Sequence, residues 1–207
     1  MSAAAIPTCL FLDIGGVLLS NGWDLPARQR AVAHFRLDPV ELEERHHLAS
    51  GAYEEGRIGL ADYLDWTVFH RERDFTRAQF QQFMRAQSSA NPAMLELMRR
   101  LKLRHGLKLV VVSNEGRELN AHRIRAFQLD RLVDTFVSSC FVHLRKPDPE
   151  IFRLALDLAQ TPAEATIYIE NTPLFAQIAR GLGIRSILHT DPLSTRTELA
   201  QFGLTED

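Results

Sequence analysis

The sequence has few cysteines, no long apolar segment and no excess of basic charge. Cys9 and Cys140 are its two cysteines and form no CxxC pair, so neither a disulfide framework nor a cysteine metal site is expected. No window approaches the roughly eighteen apolar residues that a membrane span requires. The 24 lysines and arginines are balanced by 26 acids, giving a formal net charge of -2. This balance argues against a nucleic-acid partner.

The start of the chain also lacks a targeting signal. Residues 1–7 have neither the charged head nor the long apolar stretch of a signal peptide. Together with the two apolar-flanked thiols, this predicts a reducing, cytoplasmic location without a membrane partner. The sequence does not indicate an oligomeric state.

Short apolar runs alternate with helical patterns along much of the chain. The run Cys9–Leu12 ends at Asp13 and is followed by two glycines, as expected for a buried parallel strand. Four further runs resemble it, at residues 107–113, 134–138, 166–170 and 185–188. Helical periodicity separates them at residues 92–103, 119–127, 149–158 and 173–182. This alternation predicts an α/β fold with a doubly wound parallel sheet.

A long helical interval interrupts the alternation after the first strand. Helical patterns occur at residues 26–35, 39–48, 60–69 and 77–87, with breaks at 37–39, 50–51 and 56–59. We therefore predict a core of residues 1–20 and 90–207 and a small helical cap of residues 21–89. A cap over the carboxyl edge of the sheet would exclude water and select substrates; the alternative is a helical decoration without a gating role.

Four polar side chains are predicted to meet at one edge of the sheet. Asp13, Ser113 and Glu170 each end a strand, and Lys146 lies just before a helix, so all four converge where open α/β sheets bind ligands. The two acids would hold a hard cation such as Mg²⁺, and Lys146 would neutralise an anion. Ser113 and nearby backbone N–H groups would cradle phosphate oxygens. Asp13 is suited to attack phosphorus and form an aspartyl phosphate.

Four short motifs, in order, resemble those of the haloacid dehalogenase superfamily of hydrolases. They are Asp13-Ile14-Gly15-Gly16-Val17-Leu18, Ser113-Asn114, Lys146-Pro147-Asp148, and Glu170-Asn171 followed by residues 179–183. The first motif and the segment 53–58 resemble one subgroup, which contains glucose-1-phosphate phosphatase-like proteins and the N-terminal domain of soluble epoxide hydrolases.

The resemblance implies a Rossmann-like core with a helical cap inserted between the first and second motifs. It implies that Asp13 is nucleophile and metal ligand, and that the backbone carbonyl of Gly15 and the Glu170 carboxylate also hold Mg²⁺. Ser113 and the N–H of Asn114 would bind phosphate. Lys146 would balance charge between the phosphate and Asp13.

Two positions depart from the usual phosphatase pattern. Gly15 stands where an aspartate commonly serves as general acid and base, and Asn171 stands where an acid commonly adds charge to the metal site. By position, four residues are candidates for the missing acid–base group: Asp24, His46, His47 and Glu115. The adjacent histidines point apart on a helix, which favours a solvated pair over a metal site.

The sequence therefore predicts a Mg²⁺-dependent phosphohydrolase acting on a small phosphorylated metabolite such as a sugar phosphate. Gly15 motivates a second hypothesis, a catalytically weak relative that binds a phosphorylated ligand or a protein. Haloacid dehalogenation and phosphonate cleavage remain further options. A Schiff-base phosphonatase would need a cap lysine, whereas the first lysine of the chain is Lys102.

Overall fold

The computed structural model describes residues 6–206. Residues 1–5, which are predicted to belong to the core and to carry no signal peptide, lie outside the described part, as does residue 207. The five strands are β1 Cys9–Leu12, β2 Lys108–Ser113, β3 Thr135–Ser138, β4 Thr166–Glu170 and β5 Arg185–Leu188. All neighbouring strands are parallel, in the order β3-β2-β1-β4-β5. The predicted α/β fold with a doubly wound parallel sheet is confirmed.

Ten helices connect and flank these strands within residues 6–206. They are α1 Leu25–Phe35, α2 Pro39–Glu54, α3 Leu60–Thr67, α4 Arg77–Ala86, α5 Pro92–His105, α6 Arg117–Ala126, α7 Ser139–Val142, α8 Glu150–Ala159, α9 Pro173–Gly181 and α10 Pro192–Gln201. Two single 3₁₀ turns lie at Leu129–Arg131 and Ala163–Ala165. None of the helices in this part of the chain has the length and apolarity of a transmembrane segment.

The sheet separates two apolar cores because successive strand side chains point to opposite faces. In β1, Leu10 and Leu12 belong to one core, whereas Cys9 and Phe11 belong to the other. All four are fully buried. This two-sided burial explains why the strands read as continuous apolar runs rather than as alternating patterns.

A third apolar cluster lies among α1–α4, within residues 21–89. Tyr63, Leu64, Phe80 and Met84 are at most 1% exposed in this cluster, which contacts the rest of the molecule through Leu119 of α6 among others. The chain leaves and re-enters the core at neighbouring points, since Ser20 N–H donates to the carbonyl of Ser89 at 2.9 Å.

One expectation about local structure is wrong, and two helices were missed. The predicted break at Ser50-Gly51 does not occur, because α2 runs without interruption from Pro39 to Glu54. The short helix α7 and the final helix α10 were not predicted. A single glycine costs about 1 kcal/mol inside a helix, which packing of α2 against α3 and α7 offsets.

Candidate active site

Asp13 follows the central strand at the carboxyl edge of the sheet. Its N–H donates to the carbonyl of Ile169 at 3.1 Å, which extends the β1–β4 pairing by one residue. The strand order changes direction between β1 and β4, the position at which open α/β sheets form a ligand-binding crevice. Asp13 is 8% exposed, so its carboxylate is nearly enclosed but reachable.

Gly16 is required by the turn that follows Asp13. Its φ is +74°, and an added Cβ would lie 2.0 Å from Asn171 Nδ2. Gly15 is different, since a Cβ there would meet Asn21 at 3.5 Å, an ordinary van der Waals distance. The turn therefore needs glycine at position 16, whereas position 15 has room for a side chain.

Lys146 joins the two predicted acids. Its Nζ lies 3.2 Å from Asp13 Oδ1 and 2.6 Å from Glu170 Oε2. The Lys146 side chain is 1% exposed, and its ammonium lies over the ring of Phe175, 4.8 Å from the centroid. A buried ammonium of this kind is stabilised by its acidic partners. The structure thus brings together three of the predicted site residues by direct contact.

The side chain of Asn114 forms two hydrogen bonds with the backbone of Lys146. The Lys146 N–H donates to Asn114 Oδ1 at 2.9 Å, and Asn114 Nδ2 donates to the Lys146 carbonyl at 2.8 Å. Ser113 ends β2 beside β1 and is 1% exposed. The second and third sequence motifs are therefore linked directly, with the Asn114 side chain in a positioning contact that the sequence analysis did not anticipate.

Glu170 is fully buried and hydrogen-bonded at both oxygens. Oε1 accepts the N–H of Thr172 at 2.9 Å, whereas Oε2 accepts from Lys146 and from the Tyr168 hydroxyl. Burial raises the pKa of Glu170, and the nearby Asp13 charge raises it further, while Lys146 and Tyr168 lower it. Two acids thus share one lysine in a site that favours additional positive charge.

Tyr168 is a site residue that the sequence analysis missed. Its hydroxyl accepts a hydrogen bond from Lys146 Nζ at 2.8 Å and donates to Glu170. Burial and the neighbouring acids raise its pKa well above the usual value, so it stays a neutral donor. The sequence spacing could have indicated this contact, because Tyr168 and Glu170 are two residues apart on β4 and such residues share one face of a strand.

A cavity of about 280 Å³ lies between the α1–α4 segment and the carboxyl edge of the sheet. Its walls consist of apolar, cationic and acidic side chains from the α1–α4 segment and from residues 114–123 of the core. Its lining includes Asn21, Trp23, Asp24, Arg28, His46, Tyr53, Glu54, Asn114, Glu115, Leu119, His122 and Arg123. Asn114 belongs both to this lining and to the site described above, so the cavity lies beside that site, although Asp13, Lys146 and Glu170 do not line it.

Glu115 is the buried acid at the core side of this cavity. Its N–H donates to Ser139 Oγ at 2.9 Å, and its Oε1 accepts from Arg123 Nη1 at 2.5 Å. Burial raises the pKa of Glu115 to about 7; Arg123 opposes this rise, and the charge of Asp13 adds to it. The carboxyl therefore changes protonation state near neutral pH.

The other positional candidates differ from Glu115. Asp24 caps α1 by accepting the N–H of Ala27 at 2.9 Å. His46 is not solvated as predicted: it lines the cavity, its Nδ1 lies 2.7 Å from the Tyr63 hydroxyl, and burial lowers its pKa to about 4. His47 is exposed as predicted. Adjacent helical residues point about 100° apart, so His46 faces the cavity while His47 faces solvent.

Known proteins resemble this chain in sequence or in fold. A Caldanaerobacter subterraneus protein named as a pyrophosphatase, PpaX, is 33% identical over 92 residues, which cover 44% of this chain and 41% of that protein. The match thus spans less than half of that relative's length. HAD family enzyme bt-2542 of Bacteroides thetaiotaomicron, crystallised with magnesium and inorganic phosphate, has a TM-score of 0.71 at 21% identity. That alignment covers 87% of this chain and 93% of the enzyme.

The L-2-haloacid dehalogenase PA0810 also has this fold, with a TM-score of 0.64 at 20% identity over 91% of this chain and 86% of that one. At such identities the structural likeness establishes the fold and not the reaction. The family model of haloacid dehalogenase-like hydrolases matches residues 7–183. This match covers most of the chain, including every predicted site residue, and the protein therefore belongs to the haloacid dehalogenase-like hydrolases.

Proposed function

We propose that this hydrolase is a Mg²⁺-dependent phosphatase that acts on a small phosphorylated metabolite through an aspartyl phosphate on Asp13. The observation that carries the proposal is the buried contact of Lys146 with both Asp13 and Glu170 at the carboxyl edge of the sheet. An acid that attacks phosphorus and a cation that stabilises the phosphoryl oxygens are the groups that such a reaction needs.

The donor set suits a hard cation. Asp13, the backbone carbonyl of Gly15 and Glu170 would supply oxygen ligands, and Mg²⁺ commonly binds through one or two carboxylates, waters and substrate phosphate. Within residues 6–206, no cluster of three His, Cys, Asp or Glu side chains could hold a metal ion by itself, so the proposed site needs phosphate and water as further ligands. Bound there, Mg²⁺ would supply positive charge to the phosphoryl oxygens.

The protein side chains then divide the work of phosphoryl transfer. Asp13 attacks phosphorus, and Lys146, fixed by Asn114, stabilises negative charge on the transferring group. The Ser113 hydroxyl and the Asn114 N–H bind the remaining phosphate oxygens. Such positioning and charge stabilisation account for most of the catalysis in phosphoryl transfer.

The segment 21–89 is assigned as a cap because it has its own apolar cluster and lines the cavity from the side opposite the sheet. A cavity of about 280 Å³ accommodates a small leaving group. Polar and charged lining groups such as Arg28, Asp24 and Glu115 suit a hydroxyl-rich leaving group. We therefore favour a sugar phosphate, and we retain the resemblance to the glucose-1-phosphate phosphatase-like subgroup as part of the proposal.

The two cysteines are free and buried, which supports a reducing, cytoplasmic location for the protein. A small phosphorylated substrate is the partner that we propose for it.

Phosphate release from p-nitrophenyl phosphate and from a panel of sugar phosphates tests the proposal, with Mg²⁺ and with EDTA. We expect Mg²⁺-dependent turnover by the wild type, a loss of at least about 10³-fold in Asp13→Asn, and no loss in Asp130→Asn, a change at an exposed aspartate. Equal rates for wild type and Asp13→Asn, or turnover of L-2-chloropropionate instead of any phosphate ester, would contradict it.

Gly15 and Asn171 favour a second candidate, a catalytically weak protein that binds a phosphorylated ligand. The position-15 side chain that commonly transfers protons is missing, and one negative charge is missing at position 171. Calorimetry with inorganic phosphate and Mg²⁺, combined with the ester panel, separates the two candidates, because only the second predicts phosphate binding by a protein that releases no phosphate from any ester.

A further inference from the structure

The missing side chain at Gly15 leaves the leaving group without an obvious proton donor. A Cβ at that position would point toward Asn21, 3.5 Å from its Cα and from its Oδ1. The Asn21 amide lies in the cavity wall but has no proton to give to an alkoxide at ordinary pH. If the protein hydrolyses unactivated phosphate esters, another cavity group must serve as acid and base.

Six acidic, histidine or tyrosine groups of the cavity come from two parts of the fold. The segment before α1 and helix α2 contribute Asp24, His46, Tyr53 and Glu54, whereas Glu115 and His122 lie on the core, Glu115 two residues after Ser113. Asp24 is committed to capping α1, and the low pKa of His46 leaves it unprotonated at neutral pH.

Glu54 lies on the α1–α4 side of the cavity rather than on the core, and it pairs with Arg145 at 2.7 Å. Burial raises the pKa of Tyr53, which makes its hydroxyl a weak acid. His122 lies on α6, seven residues beyond Glu115, where burial and three neighbouring arginines lower its pKa.

We propose that Glu115 is the general acid and base of this hydrolase, in place of the side chain that is missing at Gly15. The inference rests on the phosphatase function proposed above. Glu115 lines the cavity beside the Asp13 site, and it directly follows Ser113 and Asn114, the residues proposed above to bind the phosphate. Its attachment to the sheet edge, rather than to the cap, keeps it in fixed relation to Asp13.

Arg123 positions this carboxyl. Arg123 is 3% exposed in its side chain, donates to Glu115 Oε1 and also donates to the carbonyl of Ser20. One guanidinium thus ties the acid to the chain just beyond the nucleophile turn. A single occupied oxygen leaves the second oxygen of Glu115 for a proton and a leaving group.

The charged groups around Glu115 come from four elements. Asp13 after β1 and Glu54 in α2 favour its protonated form, whereas Arg123 in α6 and Lys146 after α7 favour its ionised form. Burial adds to the first effect, and the resulting pKa of about 7 lies where a general acid and base works best at neutral pH. This value supports an assignment that stands first on position.

The proton balance of the reaction closes with this one residue. In the first half, Asp13 forms a bond to phosphorus, the bond from phosphorus to the leaving oxygen breaks, and protonated Glu115 gives its proton to that oxygen. In the second half, the Glu115 carboxylate takes a proton from water as the water oxygen attacks phosphorus. Phosphate leaves, Asp13 is restored, and Glu115 is protonated again.

Leaving-group dependence tests the role of Glu115. In Glu115→Gln, we expect turnover of an alkyl or sugar phosphate to fall about 10²- to 10⁴-fold, the usual contribution of a general acid and base. p-Nitrophenolate leaves without protonation, so the same variant should release one equivalent of it in a rapid burst and then turn over slowly. Glu118→Gln, on the same helix as Arg123 but outside the cavity lining, is the matched control.

A second variant distinguishes catalysis from structure. Because position 15 has room for a Cβ, Gly15→Asp in the Glu115→Gln background should restore at least tenfold of the lost alkyl phosphatase activity. The inference is wrong if Glu115→Gln lowers aryl and alkyl turnover equally without a burst, if it retains wild-type rates, or if Glu54→Gln shows the burst instead. A wild-type protein that releases no phosphate from any ester would refute the phosphatase function itself, and a fully active Asp13→Asn variant would refute the aspartyl phosphate, which separates these failures from that of Glu115.

Discussion

Replacing Lys146 with methionine is expected to lower the free energy of unfolding by about 3–5 kcal/mol in EDTA at pH 7. Methionine keeps most of the apolar stem but removes a positive charge that lies 2.6 Å from Glu170 and 3.2 Å from Asp13. The side chains of Lys146 and Glu170 are 1% and 0% exposed. Two buried acids are therefore left without a cation, which is the costly way to break a buried ion pair.

Urea unfolding measures this loss, and Lys102→Met provides a matched control. Lys102 also makes a 2.6 Å ion pair, with Asp134, but their side chains are 28% and 44% exposed. Removing an ion pair this exposed costs about 0–1 kcal/mol. The Lys146–Glu170 and Lys102–Asp134 ion pairs have the same 2.6 Å distance and differ in burial. A larger loss of stability in Lys146→Met than in Lys102→Met would therefore measure the effect of burial.

Mg²⁺ extends the same prediction to the proposed metal site. If the cation binds between Asp13 and Glu170, it should return more stability to Lys146→Met than to the wild type, because it supplies the missing charge. A concentration of about 100 times the dissociation constant stabilises a protein by about 2.7 kcal/mol. A loss below about 1 kcal/mol in EDTA would show that Lys146 does not neutralise these acids, and the reasoning would fail.

Two further predictions concern the glycine turn and the buried titratable groups. Gly15→Ala should change the free energy of unfolding by less than about 1 kcal/mol, whereas Gly16→Ala should lower it by more than about 2 kcal/mol. The added Cβ at position 16 would clash with Asn171, and the φ of +74° is unfavourable for alanine. Thermal unfolding of both variants measures these changes, and equal losses would contradict the prediction. Glu115, with a pKa raised from 4.5 to about 7, stabilises the folded state fully below pH 4.5 and loses that contribution, on the order of 3 kcal/mol, as pH rises through 7. His46, lowered to about 4, has the opposite slope, so the test is the difference between the urea-unfolding pH profiles of wild type and Glu115→Gln; a constant difference from pH 4 to 8 would contradict the prediction.

The sheet was predictable because each buried strand ends abruptly in a polar residue. Asp13, Ser113 and Glu170 close three apolar runs, and parallel topology then requires them to share an edge. The contact of Lys146 with two of them follows from the same topology. The roles that these residues have in catalysis stay predictions, since contacts alone do not measure a reaction.

The parts that could not be predicted depend on tertiary packing. A Ser-Gly pair commonly ends a helix, but at Gly51 the helix α2 continues because its other residues pack against neighbouring elements. The pairing of Glu115 with Arg123 joins residues on adjacent elements, and no local pattern indicates which buried arginine meets which acid. Burial of His46, unlike that of exposed His47, depends on which way α2 faces.

The paired exit points of residues 20 and 89 have a consequence for how the protein tolerates change. Ser20 donates its N–H to the carbonyl of Ser89 and its hydroxyl to the carbonyl of Gln87. The chain therefore enters and leaves the α1–α4 segment at two adjacent points. Insertions, deletions or replacements between these two points are therefore expected to leave the strand order and the turn after Asp13 unchanged. If residues 21–89 are the cap proposed above, substrate preference can change through this segment alone while the carboxyl edge of the sheet stays the same.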